Sequence, residues 1–151
     1  MRAKEMMTIE LVTVSEDTSL QEVVRLMLEK NISGVPIVDS DERLKGIVSG
    51  SDVICLKRKL HMPDYMQLLG ALLNNAHPEE FNAEIARALK MPVKEFMTKR
   101  VITASENTSM ADIITLMTEH RINRIPIVRE NKLVGIVTRR DTIRAMAVIG
   151  N

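Results

Sequence analysis

Apolar positions along this chain fall into two recurring patterns. From Leu20, the positions Leu20, Val23, Val24, Met27 and Leu28 keep the three-and-four spacing of one helix face. Met110, Ile113, Ile114 and Met117 repeat that stripe. Asp17, Thr18 and Ser19 offer N-caps ahead of the first helix, and Ser19 with Glu22 predicts a capping box. A short apolar strand is expected at Val35–Val38, with Pro36 marking an edge or bulged position that lacks a ladder donor. A polar turn, Asp39 to Arg43, leads to a second strand over Leu44–Ser49, and a further helix begins near Asp52, its twin near Asp141. The predicted unit is β-α-β-β-α.

That unit occurs twice. Lys4-Glu5-Met6-Met7-Thr8 returns as Lys94-Glu95-Phe96-Met97-Thr98, an offset of 90 residues. Thr13 to Ser19 meets Thr103 to Ser109, and Val35-Pro36-Ile37-Val38 meets Ile125-Pro126-Ile127-Val128 at the same offset. One residue is then lost in a turn, after which Gly46-Ile47-Val48-Ser49 and Asp52 match Gly135-Ile136-Val137-Thr138 and Asp141. A unit of about 50 residues makes a marginal core alone, so the copies are expected to pack together. The organisation read from this is a first repeat at 1–56, a helical insert at 57–91 and a second repeat at 92–151, forming one module.

The insert matches neither repeat. Pro63 can open a helix running through Leu73, and Pro78 a second helix with the stripe Phe81, Ile85, Ala88 and Leu89, ended by Pro92. Two readings stand: a helical hairpin packed on its own module, or a dimer contact or lid over a ligand.

Composition narrows the function classes. Aromatic residues make up 2% of the chain, so the core is built from Leu, Ile, Val and 11 Met. A net charge of +1 supplies no field for nucleic acid or an anionic membrane. One cysteine, Cys55, permits no internal disulfide, which fits a reducing cytoplasm. Neither a secretory apolar region near Met1 nor a run of about 20 apolar residues is present, so a soluble cytoplasmic protein is expected.

Candidate chemistry lies where the second strand of each repeat enters its helix, at Ser49-Gly50-Ser51-Asp52 and Thr138-Arg139-Arg140-Asp141. A helix N-terminus presents unpaired N–H groups and partial positive charge, which suit phosphate. The hydroxyl can donate to a phosphate or ribose oxygen, and the carboxylate can accept from vicinal ribose hydroxyls. The same pattern also caps ordinary helices. Reactive groups are sparse: His61, His77 and His120 lie far apart, and no Ser-His-Asp, HExxH, CxxC or Walker-type pattern occurs. Cys55 and the methionines read as core, so neither a catalytic residue nor a metal site is expected.

Gly34-Val35-Pro36-Ile37-Val38-Asp39 followed by Gly46-Ile47-Val48-Ser49-x-x-Asp52 resembles the signature of the cystathionine-β-synthase (CBS) repeat. Asn123-Arg124-Ile125-Pro126-Ile127-Val128 with Gly135-Ile136-Val137-Thr138-x-x-Asp141 resembles it equally, and the Met7-Thr8 and Met97-Thr98 segments look like the family's lead-ins. The resemblance implies an α+β fold of two tandem CBS repeats packed as a pseudo-twofold (Bateman) module, with a helical insert between them. It implies clefts that hold AMP, ADP, ATP or S-adenosylmethionine as a regulatory ligand, with no required cofactor, in a module that dimerises. By similarity Asp52 and Asp141 take the ribose hydroxyls, with Ser49 and Thr138 near ribose or phosphate. The backbone around Val35-Pro36 and Ile125-Pro126 would meet the adenine edge, with Thr13 and Thr103 close by.

The repeats differ in charge: Arg124, Arg139 and Arg140 stand where the first repeat has Gly34, Gly50 and Ser51. Guanidinium groups recognise phosphate in bidentate fashion, so a phosphorylated ligand is expected where the three converge, unless Arg139 and Arg140 are merely solvated. The functional expectation is a regulatory sensor of adenine nucleotides or adenosyl ligands, not an enzyme, that forms a homodimer and acts on an effector protein of unknown identity. The alternative is a ligand-free structural or oligomerising protein with the same fold.

Overall fold

A computed structural model describes residues 1–54 and 78–150. The first insert helix expected at Pro63–Leu73, together with Cys55, His61 and His77, lies outside the described residues. In chain order the elements are α1 (Ala3–Met6), α2 (Leu20–Glu29), β1 (Gly34–Val38), β2 (Leu44–Ser49), α3 (Gly50–Ile54), α4 (Pro78–Leu89), a 3-10 turn (Val93–Glu95), α5 (Met110–Glu119), β3 (Arg124–Arg129), β4 (Lys132–Thr138) and α6 (Arg139–Ile149). β1 pairs with β2, and β3 with β4. The α+β repeat fold expected from the sequence is present twice.

The duplicated helices form for the same local reasons. Ser19 Oγ accepts from the Glu22 N–H at 3.2 Å, and Ser109 Oγ from the Asp112 N–H at 3.1 Å. The Ser19–Glu22 box is only half formed, because the Glu22 carboxylate turns to Arg25 instead. Both helices end in a paired 6→1 and 5→2 pattern: Ile32 N–H donates to Met27 O and Asn31 N–H to Leu28 O, matched by Ile122 to Met117 and Arg121 to Thr118. That motif needs a left-handed residue, filled here by Asn31 (φ 51°) and Arg121 (φ 53°).

The first strand of each repeat shrinks to a single bridge, Val14 on Ile37 and Ala104 on Ile127, both parallel. Polar, exposed neighbours (Thr13, Ser15, Thr103, Ser105) leave little for a longer buried strand to contribute. Val14 N–H donates to Pro36 O, and Val14 O accepts from Val38 N–H, so no bond in this bridge asks for the amide that proline lacks. In β3–β4 the pairing runs Arg124↔Thr138 to Ile127↔Gly135, then shifts between Ile127 and Val128, an irregularity just past Pro126, whose equivalent Pro36 was expected at an edge or a bulge.

The chain divides into two compact units. One comprises Met1–Ser15, Pro36–Gly46 and Lys99–Asn151. Its core joins Ala3, Ala104, Ile113, Ile125, Ile127 and Val137. Here the N-terminal lead-in docks on the second repeat: Ala3 N–H donates to Thr108 O, Lys4 N–H to Glu106 O, and Thr8 bridges Ile136 of β4. The hairpin turns of the two repeats also meet through an Arg43–Lys132 bridge.

The other unit comprises Glu16–Val35 and Ile47–Thr98, with Leu20, Val23, Val48, Val93, Phe96 and Met97 buried. Its second lead-in docks on the first repeat in the equivalent way: Val93 N–H donates to Thr18 O, Lys94 N–H to Glu16 O, and Thr98 bridges Ile47 of β2. Each repeat therefore wears the lead-in that precedes the other. The insert helix α4 begins at Pro78 as expected, buries Ala88 and packs against α2.

Candidate functional site

The strand-to-helix turns are built alike. Thr138 is the N-cap of α6, its Oγ1 accepting from the Asp141 N–H at 3.4 Å. Asp141 returns the favour through one oxygen: Oδ2 accepts from Thr138 N–H at 2.8 Å and from its Oγ1–H at 2.5 Å. In the first repeat Asp52 Oδ2 accepts from Ser49 N–H at 2.8 Å and Oγ–H at 3.1 Å. The capping reading of both carboxylates is thus realised, and it occupies one oxygen of each. Asp141 Oδ1 takes no part in the cap; its charged neighbour is Arg144 Nη1 at 3.8 Å. Asp141 is 7% exposed, and Asp52 half-buried.

A backbone bond ties each turn to the start of the neighbouring strand: Arg139 N–H donates to Asn123 O at 2.8 Å and Gly50 N–H to Ser33 O at 3.0 Å. Asn123, Arg124 and Ile125 are thereby gathered beside Thr138–Asp141 in one unit. Gly34 and Val35 sit beside Ser49 and Asp52 in the other.

Other expected site residues sit elsewhere. Pro36 and Pro126 are buried, and their carbonyls already accept from Val14 and Ala104. Thr13 is exposed and lines a cavity of about 530 Å³ with Leu11, Val38, Glu106, Arg129 and Leu133, towards the opposite end of β4 from Thr138. Thr103 is exposed beside the Ala104 bridge. Arg139 lines a groove of about 510 Å³ between α5 and α6 with Arg121, Ile143 and Met146, and Arg140 is exposed outside it. Arg124 is half-buried at the first pair of β3–β4.

Sequence reasoning missed Thr8 and Thr98. Each bridges the residue two before the hydroxyl of a turn: Ile136 ahead of Thr138, and Ile47 ahead of Ser49. The recurring Met-Thr dipeptide flagged them as equivalent, but similarity between copies carries no information about which copy a segment docks on.

Resolved electrostatic shifts lie away from the turns. Arg129 donates to Glu106 through Nε at 2.7 Å and Nη2 at 2.6 Å, holding that carboxyl below the usual glutamate range. The Arg43 and Asp41 N–H groups do the same to Asp39 in the hairpin turn. Asp17 raises Lys94 through a 2.9 Å contact that pins the second lead-in. Among the described residues no three potential metal ligands cluster, and no helix is long and apolar enough to cross a membrane.

The model of the CBS domain matches residues 3–57 and 93–148, one match per repeat. The chain belongs to the CBS-domain family. An uncharacterised relative, MJ1426 of Methanocaldococcus jannaschii, is 36% identical over 143 residues, covering 89% of this chain and 85% of that protein. Among solved structures, CBSX2 in complex with AMP superposes with a TM-score of 0.76 at 25% identity, covering 99% of this chain and 98% of that one. The CBS domain pair of MJ0100, in complex with methylthioadenosine and S-adenosylmethionine, gives 0.69 at 25% identity, covering 97% and 99%.

Proposed function

We propose that this CBS pair is a sensor of adenosine-containing ligands that has a regulatory rather than catalytic role. The observation that carries the reading is the duplicated turn, in which a carboxylate uses Oδ2 to fix a helix start and keeps Oδ1 outside the cap. A carboxylate oxygen held beside helix N–H groups suits ribose: the vicinal hydroxyls donate to Oδ1 while the helix terminus favours the phosphate. Arg124 and Arg140 supply cationic donors near that turn. The two CBS structures that superpose on this chain hold AMP and methylthioadenosine with S-adenosylmethionine, which supports AMP, ADP, ATP or S-adenosylmethionine as the ligand class.

In this reading the protein is cytoplasmic and forms a homodimer. Its output passes to an effector protein. Ser49 and Asp52, with Gly34 and Val35, form the first-repeat contribution, and Thr138, Asp141 and Asn123 to Pro126 the second. A thermal-shift series with AMP, ADP, ATP, S-adenosylmethionine and NAD tests it. Ligand at 100 times its dissociation constant stabilises the fold by about 2.7 kcal/mol, a rise of several degrees. No shift with any of them would contradict the reading. It would leave the alternative, a structural protein, which the capping role of both carboxylates favours.

A further inference from the structure

The cavity of about 530 Å³ that takes in Thr13 lies wholly within one compact unit and apart from the Thr138–Asp141 turn. Its apolar walls include Met7, Ile9 and Leu11 of the first lead-in, with Val38 and Leu133 from the strands. Thr8, which bridges Ile136, does not line it, whereas its neighbours Met7 and Ile9 do. On β4 the walls are Leu133 and Val134, and nothing from Thr138 to Asp141 contributes. Val134 stands four residues before Thr138, about 13 Å along an extended strand. A volume of this order accommodates a small organic molecule. Ile9, 69% exposed, leaves apolar surface there for an occupant to cover.

Charge narrows the class of occupant. The charged residues lining the cavity are Glu42, Glu106 and Arg129. Glu106 and Arg129 neutralise each other through their two hydrogen bonds. Glu42 is left over: among the described residues its carboxylate has no ion-pair or hydrogen-bond partner. Arg43 and Lys132, cations close to it along the two hairpin turns, do not line the cavity. The backbone of Glu42 is fixed, its N–H donating to Asp39 O and its carbonyl accepting from Leu133 N–H, both at 3.0 Å. It holds a left-handed conformation, φ 64°, that a glutamate adopts at a cost. An uncompensated carboxylate therefore stands on a held turn at the wall of an apolar cavity.

We propose that this cavity binds a small organic cation, an amine carried on an aromatic or apolar body. The ammonium pairs with Glu42, and the body lies against Met7, Leu11 and Leu133. The Met7 thioether suits an aromatic ring, and the Thr13 hydroxyl adds a polar contact at the wall. An anion of the same shape meets the Glu42 carboxylate and is disfavoured. The site is separate from the adenosine turns and does not rest on the ribose reading.

Tryptamine is the probe, compared with indole-3-propionate, in which a carboxylate replaces the amine. Both are titrated into the whole protein and followed by backbone amide shifts in NMR. Tryptamine is expected to move the amides of Thr13, Glu42 and Leu133 and to leave those of Thr138 to Asp141 in place. Indole-3-propionate binds at least threefold more weakly. Glu42→Gln weakens tryptamine about threefold, the size of an exposed ion pair, and leaves indole-3-propionate no weaker. Ile9→Ser weakens both. The absence of any shift at millimolar tryptamine overturns the site. Equal affinity for the two indoles, or a Glu42→Gln protein that binds tryptamine as well as wild type, overturns the cation assignment. Shifts centred on Thr138 to Asp141 overturn the separation from the adenosine turn. None of these outcomes requires nucleotide to bind.

Discussion

In the proposed reading Asp141 both caps its helix and accepts from a ribose, and a conservative substitution separates the two. Asp141→Asn keeps an oxygen that can accept from Thr138 N–H but loses the charge, so the cap largely survives while the ribose contact does not. Calorimetric titration is expected to show adenosine-ligand affinity at least tenfold weaker, because a hydrogen bond to a charged group contributes about 1.5–3 kcal/mol. The unfolding midpoint should move little. Arg121 is a residue the fold tolerates rather than prefers: Asn31 fills the same left-handed position in the first repeat with a side chain suited to it. Arg121→Gly should stabilise the protein by about 0.5–1 kcal/mol in denaturant titration at fixed protein concentration, the relief of strain exceeding the added chain entropy.

At the scale of elements, the lead-ins are the parts that assemble each repeat. An added Cβ on Gly135 would sit 2.4 Å from Met7 Sδ, so glycine is what lets the first lead-in lie against β4. Gly135→Ala is expected to cost about 1–3 kcal/mol in chemical unfolding by overpacking, and Met7→Ala in the same chain should recover part of it. The Glu106–Arg129 pair links the loop before α5 to the end of β3. Since the folded protein holds Glu106 below its ordinary value, the pair's contribution is present above the unfolded-state pKa of about 4.3 and is lost as pH falls through the lower folded value. Comparing wild type with Arg129→Gln by unfolding from pH 7 down to pH 3 should show a stability difference that closes at the acid end. The elements themselves were legible beforehand, because helix stripes, serine caps and the proline-marked strand are local signals. The first strand of the predicted unit had no located signal, and the structure reduces it to single bridges at Val14 and Ala104, since one apolar residue between polar neighbours supports a bridge and little more.

For the molecule as a whole, the internal repeat carried most of the inference. An offset of 90 residues predicted equivalent helices and equivalent turns, and the structure adds matched helix ends at Asn31 and Arg121. It could not show that Ala3 to Thr8 joins the second repeat and Val93 to Thr98 the first, because both dockings satisfy the same residues. The candidate turns were legible as Ser49 to Asp52 and Thr138 to Asp141, whereas the separate placement of Thr13 in its own cavity and of Arg139 beside Arg121 depends on packing that no motif encodes. The central claim is that the carboxylate oxygens spared by the caps receive an adenosine ribose. A crystal structure of the protein grown with AMP tests it most directly: the ribose hydroxyls should lie within hydrogen-bond distance of Oδ1 of Asp52 or Asp141. AMP bound away from both turns, with Asp52 and Asp141 touching only Ser49 and Thr138, would contradict it.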